Sequence, residues 1–179
     1  MYCIICQSRH HKTLDESCSK RLQNSLKNVT PFQGKYDVLS NFYPCPLIFY
    51  GRLFKSAEHA YQFLKAKCYG KDQLAENISQ QSSAVFAKLL AKRVPTDEGW
   101  DHLKVDVMRD ILLAKKQCVP EYRQKLLEVA DTIIVEAVPG ETFWSSGLSK
   151  EQVIWADEWP GKNIMGQLHM ELTEKSIKE

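Results

Sequence analysis

Glu58, Gln62 and Lys65 fall at i, i+4 and i+7, the spacing that places three side chains on one face of an α-helix. An acid and an amine on one face are the residue types that move protons at a leaving group and attack an electrophilic carbon. Seven residues at 1.5 Å each separate Glu58 from Lys65 by about 10 Å along the axis. That is long for a direct ion pair and suited to two groups gripping one substrate. Glu58 sits in the first turn, where the helix field favours the carboxylate. A lysine set among apolar neighbours, here Leu64 and Cys68, gives up its proton more readily and becomes a candidate nucleophile. A solvated helix face with scattered charges has the same spacing, so the triplet alone leaves both readings open.

The element that must position these residues is legible. Ser56 offers an N-cap for a helix running to about Tyr69, with Ala57, Ala60, Tyr61, Leu64 and Cys68 at inward spacing. Residues 46–54 read as two short strands around a turn at Tyr50-Gly51. A second helix is predicted over 73–92, burying Ile78, Val85, Phe86, Leu89 and Leu90, before breaks at Pro95 and Gly99. A third runs from Trp100 to about Gln117 with Trp100, Leu103, Val107, Met108, Ile111 and Leu112 in one stripe. Pro120 opens a fourth, which carries Tyr122, Leu126, Leu127 and Ala130. The β-branched run 132–138 reads as a strand. A loop over 139–163 holds three of the four tryptophans, and a last helix turns Ile164, Leu168 and Leu172 inward. A loop of that length often lines a binding site. The expected fold is mainly α-helical with a small β-sheet element, in a single domain over 31–179. Residues 1–30 form an N-terminal extension, partly ordered.

Composition narrows the function classes. The chain has 179 residues, 44% hydrophobic and 26% charged, with a net charge of +2, an ordinary globular balance. A protein living on phosphate-backbone contacts is usually far more basic. A nucleotide-sized substrate or a brief visit to nucleic acid stays open. No apolar run approaches the roughly 20 residues of a membrane span, and the first residues lack the pattern of a secretion signal. The expected location is the cytoplasm or nucleus, where the six cysteines stay reduced. Cys3, Cys6, His10, His11 and Cys18 have the types for a zinc site. The spacing matches no complete finger, so the expected reading is a tail with free thiols and no metal, with zinc binding as the alternative.

Leu39-Ser40-Asn41-Phe42-Tyr43-Pro44, then Gly51, then Ser56-Ala57-Glu58-His59-Ala60-Tyr61-Gln62 and Lys65 together resemble the core motif of the NADAR (YbiA-like) family. Later blocks follow in the same order: Trp100-Asp101 with Lys104 and Val107-Met108, Arg123 with Leu126-Leu127, and Val135-Glu136-Ala137. Trp144, Gly147 and Gly161-Lys162-Asn163-Ile164-Met165-Gly166 complete the match. The resemblance spans about 32–173. It implies a YbiA-like fold and an N-glycosidase that cuts ribose from an exocyclic amine, without an obligatory cofactor. The implied substrates are nucleotide-type small molecules, such as ribosylaminopyrimidines of early riboflavin synthesis, or ADP-ribosylated nucleic acid carrying the sugar on guanine. It assigns catalysis to Glu58 and Lys65. Asn41, Phe42, Gln62, Trp100, Glu141, Trp144, Gly147 and Asn163 are then the expected substrate contacts. The chain departs from the family in having Trp144-Ser145-Ser146-Gly147 for Trp-Gly-x-Gly, and Glu141 where an Asp is common.

Each secondary residue has a structural alternative. Trp100 leading an apolar stripe reads first as core, whereas Trp144 in a Ser- and Gly-containing loop reads as site-lining. His59 points elsewhere on the helix and is expected to be structural. Asn41 and Asn163 stand in turn-like contexts that either residue could simply cap. The competing function is a binding module that holds ADP-ribose or NAD without cutting it. A pure reader needs neither an acid nor an amine nucleophile, so Glu58 with Lys65 favours the enzyme. No protein partner is assigned.

Overall fold

A computed structural model of the chain describes residues 28–176, with side chains through Thr173. The cysteines and histidines between Cys3 and Cys18, and their zinc alternative, lie outside the described residues. Among those described, the strands are β1 (Val29–Phe32), β2 (Leu47–Phe49), β3 (Arg52–Phe54) and β4 (Ile133–Glu136). The helices are α1 (Ala57–Cys68), α2 (Asp72–Gln80), α3 (Ala84–Leu90), α4 (Glu98–Cys118), α5 (Pro120–Glu128), α6 (Lys150–Trp155) and α7 (Ile164–Ser176). Helix dominates and each sheet has two strands, the expected mainly α-helical class. The chain divides into two compact units.

The larger unit covers 33–130 and continues from Leu168. Tyr50 and Gly51 both have positive φ, 46° and 72°, as a two-residue hairpin turn requires. Leu47 pairs with Phe54 and Phe49 with Arg52. Arg52 leaves the hairpin to hold Glu76 of α2 through both guanidinium nitrogens and to donate to Ser79. Ser56 caps α1, its hydroxyl accepting from the His59 amide. Helix α1 packs on α2, α3 and α4. Ala66, Ala75, Ile78, Ala87, Ala91 and Val94 form one core between them. Two inward positions expected on α1 are not buried: Leu64 is half-buried and Cys68 exposed, while Ala66 takes the inward place against Ala75 and Ile78.

The expected helix over 73–92 is two helices. Ser83 takes an extended conformation and caps a new start by accepting from Phe86. The restart changes the buried face. Ala84 and Ala87 go inward, and Val85, Phe86 and Leu89 stay about half exposed, since alanines permit the closest approach of α3 to its neighbours. Helix α4 begins before Trp100: Asp97 caps it by accepting from the Trp100 amide, and Gly99 lies inside the first turn instead of breaking the chain. Its inner face holds Trp100, Met108, Ile111, Leu112, Ala114 and the fully buried Lys115. Leu103 and Leu127, expected inside, are half exposed. Both sit at the border of their helix stripe.

The smaller unit covers 28–32 and 131–167. β1 and β4 run parallel, with Val29 opposite Ile133 and Phe32 opposite Glu136. Asn28 already joins this ladder, its carbonyl accepting from the Ile133 amide, while its side-chain amide donates to the Asp131 carbonyl. Val135, Ala137 and Val153 make the core, with Val29, Leu148 and Trp159 against it. The long loop is not structureless, because Ser149 and Gln152 build a capping box for α6. Gly166 lies so close to β4 that a Cβ there would stand 2.0 Å from the Ile134 carbonyl oxygen.

Candidate functional site

In the larger unit the first turn of α1 supports the acid. The Glu58 amide, one of the helix's orphan donors, is satisfied by the Asn41 carbonyl at 3.1 Å. The turn presenting that carbonyl is fixed twice. Ser40 accepts from the Phe42 amide, and the Lys115 ammonium donates to Val38 and Ser40 carbonyls at 2.7 and 2.8 Å. The Asn41 side chain is buried and directs its amide to the Met108 sulfur at 3.3 Å.

Glu58 is only 5% exposed, and its Oε1 accepts from Gln62 Nε2 at 2.8 Å. Burial pushes the Glu58 carboxyl up from its ordinary value; Lys88, the Gln62 bond and Lys65 oppose that in turn. The first-turn helix field expected to favour the anion is therefore outweighed by desolvation. Burial lowers the Lys65 ammonium, with Glu58 opposing and Lys88 assisting. A carboxyl inclined to keep its proton and an amine inclined to lose one thus share a helix face. That is the pairing general acid and nucleophile require.

Lys88 on α3 was not singled out by the sequence, because it neighbours α1 only through the fold. Its ammonium lies 5.3 Å from the centre of the Phe42 ring and it is exposed. Phe42, half-buried, is the platform beneath that cation. Trp100 is 5% exposed and lies 5.3 Å from the Tyr61 ring at 58°, which makes it a core residue bracing α1 against α4. His59 is structural, bridging Ser56 Oγ at 2.8 Å and the Gln81 carbonyl at 3.2 Å. A groove of about 640 Å³ runs along α5 past Val38, Pro120, Arg123, Gln124 and Leu127. None of the expected site residues lines it.

Four expected contacts belong to the smaller unit. Both oxygens of Glu141 accept backbone amides, from Phe143 at 3.1 Å and Ser145 at 2.6 Å, so this carboxylate shapes its own loop. Trp144 is half-buried and meets Phe143 edge to face at 5.1 Å. Gly147 has φ 81°, and a Cβ there would press on Pro160 at 3.0 Å. Asn163 is buried with φ 52°. Its amide bonds Glu136 N and Ile134 O, each at 2.9 Å, pinning the start of α7 to β4. Ser145, standing where the family has Gly, has no positive φ. Its hydroxyl accepts from Val138 at 2.7 Å and donates to Glu136 at 2.6 Å, a loop tie that glycine lacks.

The family model described as the NADAR domain matches residues 29–175, which spans both units. An N-glycosidase of Acanthamoeba polyphaga mimivirus is 32% identical over 129 residues, 69% of this chain and 75% of the relative. The Escherichia coli N-glycosidase YbiA is 28% identical over 156 residues, 86% of this chain and 90% of YbiA. Similarity extends to a Vibrio vulnificus riboflavin biosynthesis protein, 27% identical over 76% of this chain but only 35% of that protein. The NMR structure of E. coli YbiA superposes with a TM-score of 0.70 at 27% identity, covering 89% of this chain and 91% of YbiA.

Proposed function

The chain belongs to the NADAR family, and from that premise we propose that it hydrolyses the N-glycosidic bond between a ribose and an exocyclic amine of a base. The observation that carries the reading is the opposed pair on α1. The buried Glu58 has a carboxyl pushed up, and Lys65 on the same face has an ammonium pulled down. The N-glycosidase relatives support the bond type, and the riboflavin protein supports ribosylaminopyrimidine phosphates as one substrate class. ADP-ribose on guanine is the other.

A ribose on an exocyclic amine is a glycosylamine, so its ring opens when the amine lone pair forms C1′=N and expels the ring oxygen. Glu58 delivers the proton that oxygen needs. Neutral Lys65 adds to C1′, the base amine takes a proton and leaves, and a lysine–sugar imine remains. Water adds to that imine, its oxygen stays on C1′, and the Lys65 amine is released. Over the cycle one water supplies oxygen to the sugar and hydrogen to the base nitrogen. The test is incubation with ribosylaminopyrimidine phosphates and, separately, with ADP-ribosylated guanine DNA. Free sugar and free amine in equal amounts are expected from one of them. Tight binding of ADP-ribose with no release from either substrate would leave a binding module instead.

A further inference from the structure

Gln62 holds the Glu58 carboxyl through its Nε2, yet its own Oε1 is buried without a hydrogen-bond partner among the described residues. Gln62 as a whole is 5% exposed. A buried acceptor left unpaired is costly, and packing alone would have favoured an apolar side chain here. Its Nε2 must face the carboxylate it donates to, which fixes the direction of Oε1 away from Glu58. One acceptor beside Glu58 is thus left without a donor among the described residues.

Position along α1 says which donor. At 1.5 Å per residue, Gln62 stands about 6 Å beyond Glu58 and about 4.5 Å short of Lys65. In the reaction above, Glu58 handles the proton at the departing groups and Lys65 reaches C1′. A residue between them on the same face lies alongside the sugar. We infer that Gln62 Oε1 accepts a hydrogen bond from the ribose 2′-hydroxyl, the donor on the carbon next to C1′, and so selects ribosyl over 2′-deoxyribosyl substrates. The inference rests on the proposed N-glycosidase reading. Hydrogen bonds to that hydroxyl typically strengthen as the anomeric carbon becomes electron-poor, so the contact acts on turnover as well as on binding.

The experiment measures kcat/KM of wild type, Gln62→Met and Gln62→Glu on a ribosylaminopyrimidine 5′-phosphate and on its 2′-deoxyribosyl analogue. Wild type is expected to lose about 10- to 100-fold on the deoxy substrate, the scale of one unpaired buried group. Gln62→Met loses as much on ribose but little more on deoxyribose, so the two changes do not multiply. Gln62→Glu keeps an acceptor and keeps the preference, while its pH profile shifts because Glu58 loses its donor. Equal cleavage of both sugars by wild type, or losses that multiply, overturns the inference. If neither sugar is released, the hydrolase reading fails, and calorimetric titration of the same two compounds decides the Gln62 contact. A ribose preference in wild type that vanishes in Gln62→Met supports it, and equal affinities overturn it.

Discussion

Burial draws the titrations of Glu58 and Lys65 towards each other, one upward and one downward. A general acid must hold its proton and an attacking amine must lack one. Activity therefore falls as pH rises through the acid's titration and climbs as pH rises through the amine's. Because the two interact, the limbs of the profile belong to the pair. We expect a bell whose limbs lie closer together than ordinary glutamate and lysine values, and Glu58→Gln removes one limb. The same substitution, nearly isosteric and still able to meet Gln62, leaves the fold intact and lowers turnover at least about 100-fold. Near-normal turnover in the folded variant would take Glu58 out of the chemistry. For Lys65, borohydride added during turnover should reduce the imine and leave a sugar mass on that lysine. Lys65→Arg keeps the charge but cannot supply a neutral amine. A variant that still turns over, with no adduct in wild type, would reduce Lys65 to a contact. The pair could be read from the sequence because one helix carries both residues. Lys88 could not, since its nearness to Glu58 is created by packing α3 on α1. Nor could the direction of the Glu58 shift, which depends on how completely other segments cover the first turn.

Helix α1 was legible almost to the residue because local chemistry decides it: Ser56 caps it and alanines line its inner face. The hairpin before it was legible for the same reason, from Tyr50-Gly51. The break between α2 and α3 was hidden because Val85, Phe86 and Leu89 continue an apolar pattern that the Ser83 cap overrides. Lys115 was hidden too, as a charged residue inside an apolar stripe is unexpected. It is fully buried and links α4 to the turn that supports Glu58. Burial brings its pKa from 10.5 down to about 8. A neutral amine still has two N–H donors for the two carbonyls, with the Tyr122 ring 4.6 Å away. The folded state thus binds the proton less tightly than the unfolded chain, and between pH 8 and 10.5 the unfolded chain holds more protons. Stability should rise with pH across that window by about 3 kcal/mol. Lys115→Met removes that rise and costs about 1–3 kcal/mol at neutral pH, because two buried carbonyls lose their donor. Denaturant midpoints of both proteins at pH 7, 8, 9 and 10.5 measure the difference. Parallel curves would show that Lys115 titrates normally.

The family match runs unbroken over 29–175 although contacts divide the chain into two units, each assembled from separated segments. Among the described residues the first segment of the smaller unit is only 28–32, and β4 pairs with β1 alone. A cut inside 28–32 would strip the ladder from Ile133–Glu136 and leave its backbone donors without acceptors. The sequence alone suggests an extension ending near residue 30, but the ladder already includes Val29 and the carbonyl of Asn28. We therefore place the dispensable part at residues 1–27, which lie before the family match and lack core-forming periodicity. A chain beginning at Asn28, which keeps the whole of the family match, should fold with an unchanged melting temperature and hydrolyse its substrate within about twofold of the full chain. A chain beginning at Gln33 should lose the smaller unit's sheet and unfold at lower temperature. Metal analysis of the full-length protein belongs beside these assays. Stoichiometric zinc that disappears with residues 1–27 while activity persists assigns Cys3, Cys6 and their neighbours a role separate from hydrolysis. A folded Asn28 chain without activity would instead make the extension part of the reaction.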